Sequence, residues 1–140
     1  MTQFAEATTP KASIASRSVW VGRALSCLVI LFLTMDAGMK IAALPIVAET
    51  APKIGWTGDP GFWQGMGLLL LAITALYAWP RTAVLGAVLL TGYLGGAVAT
   101  HLRVGDPLFS HILFGVYLGI ALWGGLWLRD ARVRALLPVG

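Results

Sequence analysis

Thr82–Leu102 reads TAVLGAVLLTGYLGGAVATHL, a stretch without one Asp, Glu, Lys or Arg, closed at its ends by Arg81 and Arg103. A helix of about twenty residues rising 1.5 Å per residue covers about 30 Å, the hydrocarbon thickness of a bilayer. Two further runs have the same form. Asp59 and Arg81 enclose Pro60 to Pro80, and Asp106 and Arg129 enclose Pro107 to Leu128. Three charge-free runs of matched length predict three membrane-spanning helices, placed at about residues 61–79, 82–102 and 108–128.

The first apolar segment is different. Arg23 and Asp36 enclose only ALSCLVILFLTM, residues 24–35, which is too short to cross unaided. The helical pattern continues through Ala37, Met39, Ile41 and Leu44 until Pro45 stops it. Residues 18–44 therefore read as one helix whose outer third carries Asp36 and Lys40. The competing reading is a cleaved signal peptide, but no A-x-A site follows Met35, and three later spans call for a first one.

Composition agrees with this reading. Of 140 residues, 58% are hydrophobic and 11% charged, against about 25% charged in soluble proteins. These proportions exclude a disordered chain and argue against a soluble enzyme. A single cysteine, Cys27, excludes an internal disulfide framework and a cysteine-ligated zinc site; in an apolar span it reads as a small packing residue. The net charge of +4 is spread over residues that bracket apolar runs, which is the pattern of membrane flanks and gives no support to nucleic-acid binding.

Four helices joined by short connections predict an all-α, integral membrane bundle of up-down-up-down order, with lipid as its surroundings. One side then carries Lys11, Arg17, Arg23, Arg81, Arg129, Arg132 and Arg134, and the other Lys40, Lys53 and Arg103. By the positive-inside rule both termini are expected in the cytoplasm, with the protein in a bacterial inner membrane. Residues 1–17 are polar and turn-prone and read as a cytoplasmic tail preceding a single domain over 18–135. The link over 45–60 lies outside, with Pro45 opening a short interfacial helix and Gly55-Trp56-Thr57-Gly58-Asp59-Pro60 turning into the second span. Trp56, Trp63, Trp79, Trp123 and Trp127 stand near predicted helix ends, as an aromatic belt does.

In lipid, close packing in place of water exclusion draws helices together, so small residues mark contacts. Gly61 with Gly65, Gly92 with Gly96, and Gly115 with Gly119 each form G-x-x-x-G, and Gly92, Gly95, Gly96 and Ala99 make a smooth stripe. These positions are expected to pack helices of the same chain or to form a homodimer interface.

The segments PRTAVLGA (residues 80–87) and GYLGGAVATHLR (residues 92–103), followed by GDPLFSH (residues 105–111), resemble the DoxX-like family of small four-helix bacterial membrane proteins. Met35–Lys40, the Gly55-Trp56 turn and Trp123–Asp130 fit the same pattern, so the likeness covers roughly residues 18–135. The resemblance implies the fold. It implies function only loosely, because the wider superfamily includes a subunit of a thiosulfate:quinone oxidoreductase and members suggested to assist membrane redox or assembly processes.

Ionisable groups at membrane depth are costly, which makes each a candidate site. Asp36 and Lys40 stand at i and i+4, acid before base; either they neutralise each other at the interface, or they point into the bundle. The first and third spans both run outward, so Asp36, Lys40, His101, Arg103, Asp106 and His111 are expected to crowd one outer mouth. Two histidines and a carboxylate can ligate a divalent metal, but ten residues across a turn is no recognised ligand spacing, and no metal is assigned. The histidines either satisfy loop groups or hydrogen-bond a quinone carbonyl, since imidazoles exchange protons near neutral pH. Gln64 and Tyr93 are expected to bridge helices, and Thr74 and Thr91 to bond back to their own. No Walker loop, H-E-x-x-H, G-x-S-x-G or C-x-x-C-H occurs. The expected role is an accessory or partner subunit of a membrane-associated, redox-linked system, without catalysis or a cofactor of its own. The alternative is a quinone-binding component using His101 and Asp36.

Overall fold

The computed structural model describes residues 11–137, and no strand occurs among them. Six α-helices follow in order: α1 (Lys11–Ile41), α2 (Pro45–Thr50), α3 (Pro60–Ala78), α4 (Ala83–Val104), α5 (Phe114–Arg129) and α6 (Ala131–Leu136). A 3-10 turn at Ala51–Ile54 continues α2, and a π-helical turn at Leu108–Ile112 precedes α5. Four segments are long and apolar enough to cross a membrane: Ser16–Ile41, Pro60–Ala78, Ala83–Val104 and Leu108–Arg129.

Two boundaries differ from the sequence reading. Helix α1 already includes residues 11–17, assigned above to the tail, because no glycine or proline interrupts the chain between Pro10 and Pro45 except Gly22 and Gly38. The rest of that tail lies outside the described residues. At its other end α1 stops at Ile41, three residues early. Ala43 takes the left-handed conformation (φ +50°), and the Leu44 N–H returns to the Met39 carbonyl, closing the helix before Pro45 is reached. Pro45 then opens α2 from its first position, where its missing N–H costs nothing.

Helix α1 packs on α3 and α5, and α4 packs on the same two, giving a ring. Along α1 and α5, Gly22 meets Leu128 and Gly125, while Phe32 meets Phe114. Along α1 and α3, Ser26 meets Tyr77, while Ala37 meets Gly67. The core is a column of Val29, Leu33, Leu70, Tyr77, Leu90, Leu122 and Leu126. Buried Tyr77 ties three helices together: its hydroxyl donates to the Leu122 carbonyl at 2.8 Å and lies 3.0 Å from Ser26 Oγ. The Arg129 guanidinium covers the Tyr77 ring at 5.1 Å.

Glycine packing falls at other positions than the G-x-x-x-G pairs suggested. A Cβ on Gly22 would lie 2.7 Å from Leu128 Cβ, one on Gly67 2.8 Å from the Ala37 oxygen, and one on Gly125 2.8 Å from Ser26 Oγ. A Cβ on Gly86 would strike the backbone of Tyr77. Of the seven glycines expected at contacts, Gly115 alone is so placed, 2.8 Å from Val98 Cγ2. Gly61 faces only its own Asp59 cap, and Gly65, Gly92, Gly95, Gly96 and Gly119 have open space where a Cβ would stand. The motif spacing puts two glycines on one face, but which face meets a neighbour is decided by where each helix crosses the next. Cys27 likewise lies exposed on α1 and packs nothing inside. Thr74 and Thr91 do bond back to Leu70 and Ala87, and Gln64 bridges to the Ile41 carbonyl.

At the end of α5 the chain turns into α6 on Asp130, whose carboxylate accepts from the Arg132 N–H at 2.9 Å and from its Nη2 at 2.8 Å. Arg132 also donates to the Pro80 carbonyl, fastening α6 to the turn between α3 and α4. The Arg132 side-chain hydrogen bond holds the Asp130 carboxyl below its usual range.

Gly86→Ala should lower the free energy of denaturant unfolding by about 2 kcal/mol, since the added methyl meets backbone that cannot yield. Gly65→Ala, with open space around it, should stay within about 0.5 kcal/mol. Because the Asp130 pKa is depressed in the folded chain, its stabilisation is complete above the ordinary carboxylate range and fades as pH falls through it, below about pH 4. Hydrogen exchange over residues 131–136, corrected for intrinsic rates, should show that acid-side loss, and Asp130→Ala should show it already at neutral pH.

Candidate functional site

Helix α4 carries Tyr93 and His101 eight residues apart, two turns and so one face. Gly105, at φ +74°, ends the helix, and the Asp106 N–H returns to the His101 carbonyl. This reversal brings the Asp106 carboxylate back to its own helix, with Oδ2 2.6 Å from His101 Nδ1. The π-helical turn follows, its bonds spanning five residues from Pro107 to Ile112 and from Leu108 to Leu113. Turns of this kind concentrate at functional sites. This one carries His111, whose ring stands edge-on to His101 with centroids 5.7 Å apart. Ser110 Oγ lies 2.8 Å from His111 Nδ1.

Across from these, Asp36 and Lys40 form an ion pair along α1. Both side chains are more than two-thirds buried, at 26% and 12% exposure, so the pair faces inward instead of snorkelling free.

These groups border two cavities. The inner one, about 440 Å³, is walled by Phe32, Leu33, Phe62, Trp63, Met66, Phe114 and Leu118, with Tyr93, Thr100, Asp36, Lys40, His101 and His111 as its polar members. The outer one, about 380 Å³, is more polar, adding Thr50, Lys53 and Asp106. Asp36, Lys40, His101 and His111 border both, and thus form the partition between an apolar chamber and a polar vestibule.

The 3-10 turn and the residues after it roof the chamber with Ile54 and Trp56. Arg103, expected among the clustered groups, instead fastens this roof: its Nη2 donates to the Ile54 carbonyl at 2.9 Å. Its guanidinium occupies the space where a side chain on Gly55 (φ +74°) would go, at 2.7 Å from the Cβ position. Trp56 stacks on Phe62, and the Trp63 indole donates to the Thr57 carbonyl at 2.7 Å. Trp56 and Trp63, read from sequence as interfacial belt residues, thus face the chamber and its roof.

A family model described as the DoxX-like family matches residues 24–125. The chain belongs to the DoxX-like family. No curated protein and no solved structure matches it. With four helices fit to cross a bilayer, this DoxX-like chain is a multi-pass membrane protein. The matched stretch includes every residue of the partition and excludes α6.

Among the described residues, no group of three or more His, Cys, Asp or Glu side chains could hold a metal ion. The chemistry open to the site is hydrogen bonding and proton exchange against an apolar, aromatic surface. Sequence reasoning found the ionisable groups but missed the walls. Tyr93 was legible as a polar residue inside a span; Phe32, Phe62 and Phe114 carry no mark that separates a wall from a lipid-facing side chain.

Arg103→Ala should release the roof. Hydrogen exchange over residues 51–58 should rise by about tenfold, the loss expected for a charge-assisted hydrogen bond worth about 1.5 kcal/mol, with the spans unchanged.

Proposed function

We propose that this DoxX-like protein is a small partner of a membrane-associated, redox-linked system, contributing a binding chamber for a quinone-class ring. The observation that carries the reading is the chamber itself. Its 440 Å³ lies within the range of about 300–1,000 Å³ typical of small-molecule sites, and it combines apolar walls with a few convergent polar groups.

The donor set fits such a ring. A quinone supplies two carbonyl oxygens that accept hydrogen bonds and take up protons on reduction. Phe32, Phe62 and Trp63 offer flat apolar surface to the ring, and Tyr93 brings a hydroxyl to the same wall. Asp106 is an acceptor only, so His101 presents Nδ1–H to it, and Nε2 remains as the nitrogen that exchanges a proton. The tautomer follows from the partner. Asp36 and Lys40 stand beside it on the partition, within reach of the vestibule.

In this reading the chain lies in a bacterial inner membrane, crossing four times in alternation. Arg17, Arg23, Arg81, Arg129, Arg132 and Arg134 stand on the cytoplasmic side with both termini, and the chamber opens on the other. The redox enzyme it serves would be a separate chain.

Protein purified in mild detergent should carry quinone extractable by organic solvent. His101→Gln should weaken binding about tenfold, one charge-capable hydrogen bond's worth. Quinone-free protein that also fails to bind added decyl-benzoquinone would refute the reading. A redox enzyme co-purifying in constant ratio would support the partner role, and recovery of this chain alone would count against it.

A further inference from the structure

We infer that the chamber is loaded sideways from the bilayer, between α3 and α4 across a sill formed by Gly92 and Gly96, and takes a ring bearing a long apolar tail. The inference rests on the reading of the chamber as a lipophile site and adds its route and the shape of its ligand.

Three of the four seams around the chamber are bridged by direct contacts beside it. The seam between α1 and α3 closes where Gly67 lies against the Ala37 backbone. The seam between α1 and α5 closes where Phe32 meets the Phe114 ring edge-on at 5.2 Å. Between α4 and α5, Gly115 is pressed on Leu94 and Val98. Overhead the roof is held by Arg103 on Ile54 and by Trp56 on Phe62.

The fourth seam is built differently. At its inner end Gly86 rests on the backbone of Tyr77, drawing α3 and α4 together. Further out, Gly92 and Gly96 both line the chamber and are both exposed, and a Cβ on either would meet nothing within 4 Å. Residues that border a cavity and the outer surface at once mark an opening where no side chain fills the gap; exposed Phe114 also lines the chamber, but its ring packs on Phe32, whereas the two glycines leave their gap unfilled. Phe62 and Met66 of α3 also line the chamber and are only partly buried. Gly92 and Gly96 lie inside the span Ala83–Val104, so what this opening meets is lipid.

The two sides of the partition then serve different traffic. Water and protons arrive through the vestibule at Asp36, Lys40, His101 and His111, while the lipophile arrives from the bilayer. A tail too long for the chamber lies across the glycine sill and stays in lipid. A compact, water-soluble ring gains nothing from this arrangement.

The test uses the full chain with Cys27→Ser, reconstituted in phosphatidylcholine–phosphatidylglycerol liposomes and carrying a nitroxide at Gly96→Cys or, for comparison, at Gly95→Cys on the outer face. Collision with dissolved oxygen should be as frequent at 96 as at 95, and collision with a water-soluble nickel chelate as rare. Frequent nickel collision at 96 would overturn the lateral route, whatever the chamber binds. In parallel, Gly96→Leu should slow both uptake and release of decyl-benzoquinone about tenfold with Kd unchanged, as a narrowed passage does, while Gly95→Leu should change neither. Unchanged rates in Gly96→Leu would also overturn it. If the oxygen pattern holds and no protein binds the quinone, the ligand reading fails and the lateral opening stands.

Discussion

Lipid tails are as apolar as leucine, so burying leucine between helices gains little over leaving it in the bilayer. What holds four helices together is contact close enough for backbones to touch. Here such contact occurs at Gly22, Gly67, Gly86, Gly115 and Gly125, where an added methyl would overlap a neighbour. Tyr77 reinforces the same region by placing one hydroxyl among Ser26 of α1 and Leu122 of α5. Close approach at these points also fixes where the helices separate. Helices α3 and α4 are drawn together at Gly86 and Tyr77, and it is beyond that clamp, toward the other ends, that the chamber lies.

The bundle therefore has two unlike ends. Near the Arg129 end, polar groups are spent on structure: Arg129 donates to the Tyr77 carbonyl, Arg134 to Trp127 and Leu128, and Arg132 to Pro80 and Asp130. At the other end the polar groups of α1, α4 and the π-helical turn border open volume. Arg103 is the exception there, being consumed in holding the roof. A cation that caps backbone carbonyls is occupied, whereas one that borders a cavity beside a carboxylate is available to a ligand's chemistry. Both ends are rich in charge, and the two large cavities described above lie at the second.

The spans were legible because membrane crossing depends on length and hydropathy, and both are written locally. The crowding of Asp36, Lys40, His101, Asp106 and His111 was legible for a related reason: each lies near one end of a span, and matched span lengths bring those ends level. The glycine motifs did not locate the contacts within the chain, because packing is a property of two surfaces. Gly92 and Gly96 have the spacing of a contact motif, but Gly86 has already set how far apart α3 and α4 stand, and the later glycines border the gap. Gly22, Gly67 and Gly86 sit in no such motif and touch backbone all the same. Arg103 illustrates a second limit: its partner is a carbonyl 49 positions away, and a carbonyl leaves no trace in the sequence.

The ionisable groups of the partition have local partners. Lys40 neutralises Asp36 four residues before it, and the Asp106 carboxylate faces His101 five residues before it, so each pair lies within one helix or its closing turn. A lone charge in a low-dielectric chamber costs several kcal/mol, and much of that cost is offset where the charge has such a partner. Packing holds the backbone that carries the pair: Ala37 and Lys40 Cβ lie at the crossing of α1 on Gly67. The Asp36–Lys40 pair thus brings an acid and a base to the chamber wall with no net charge between them.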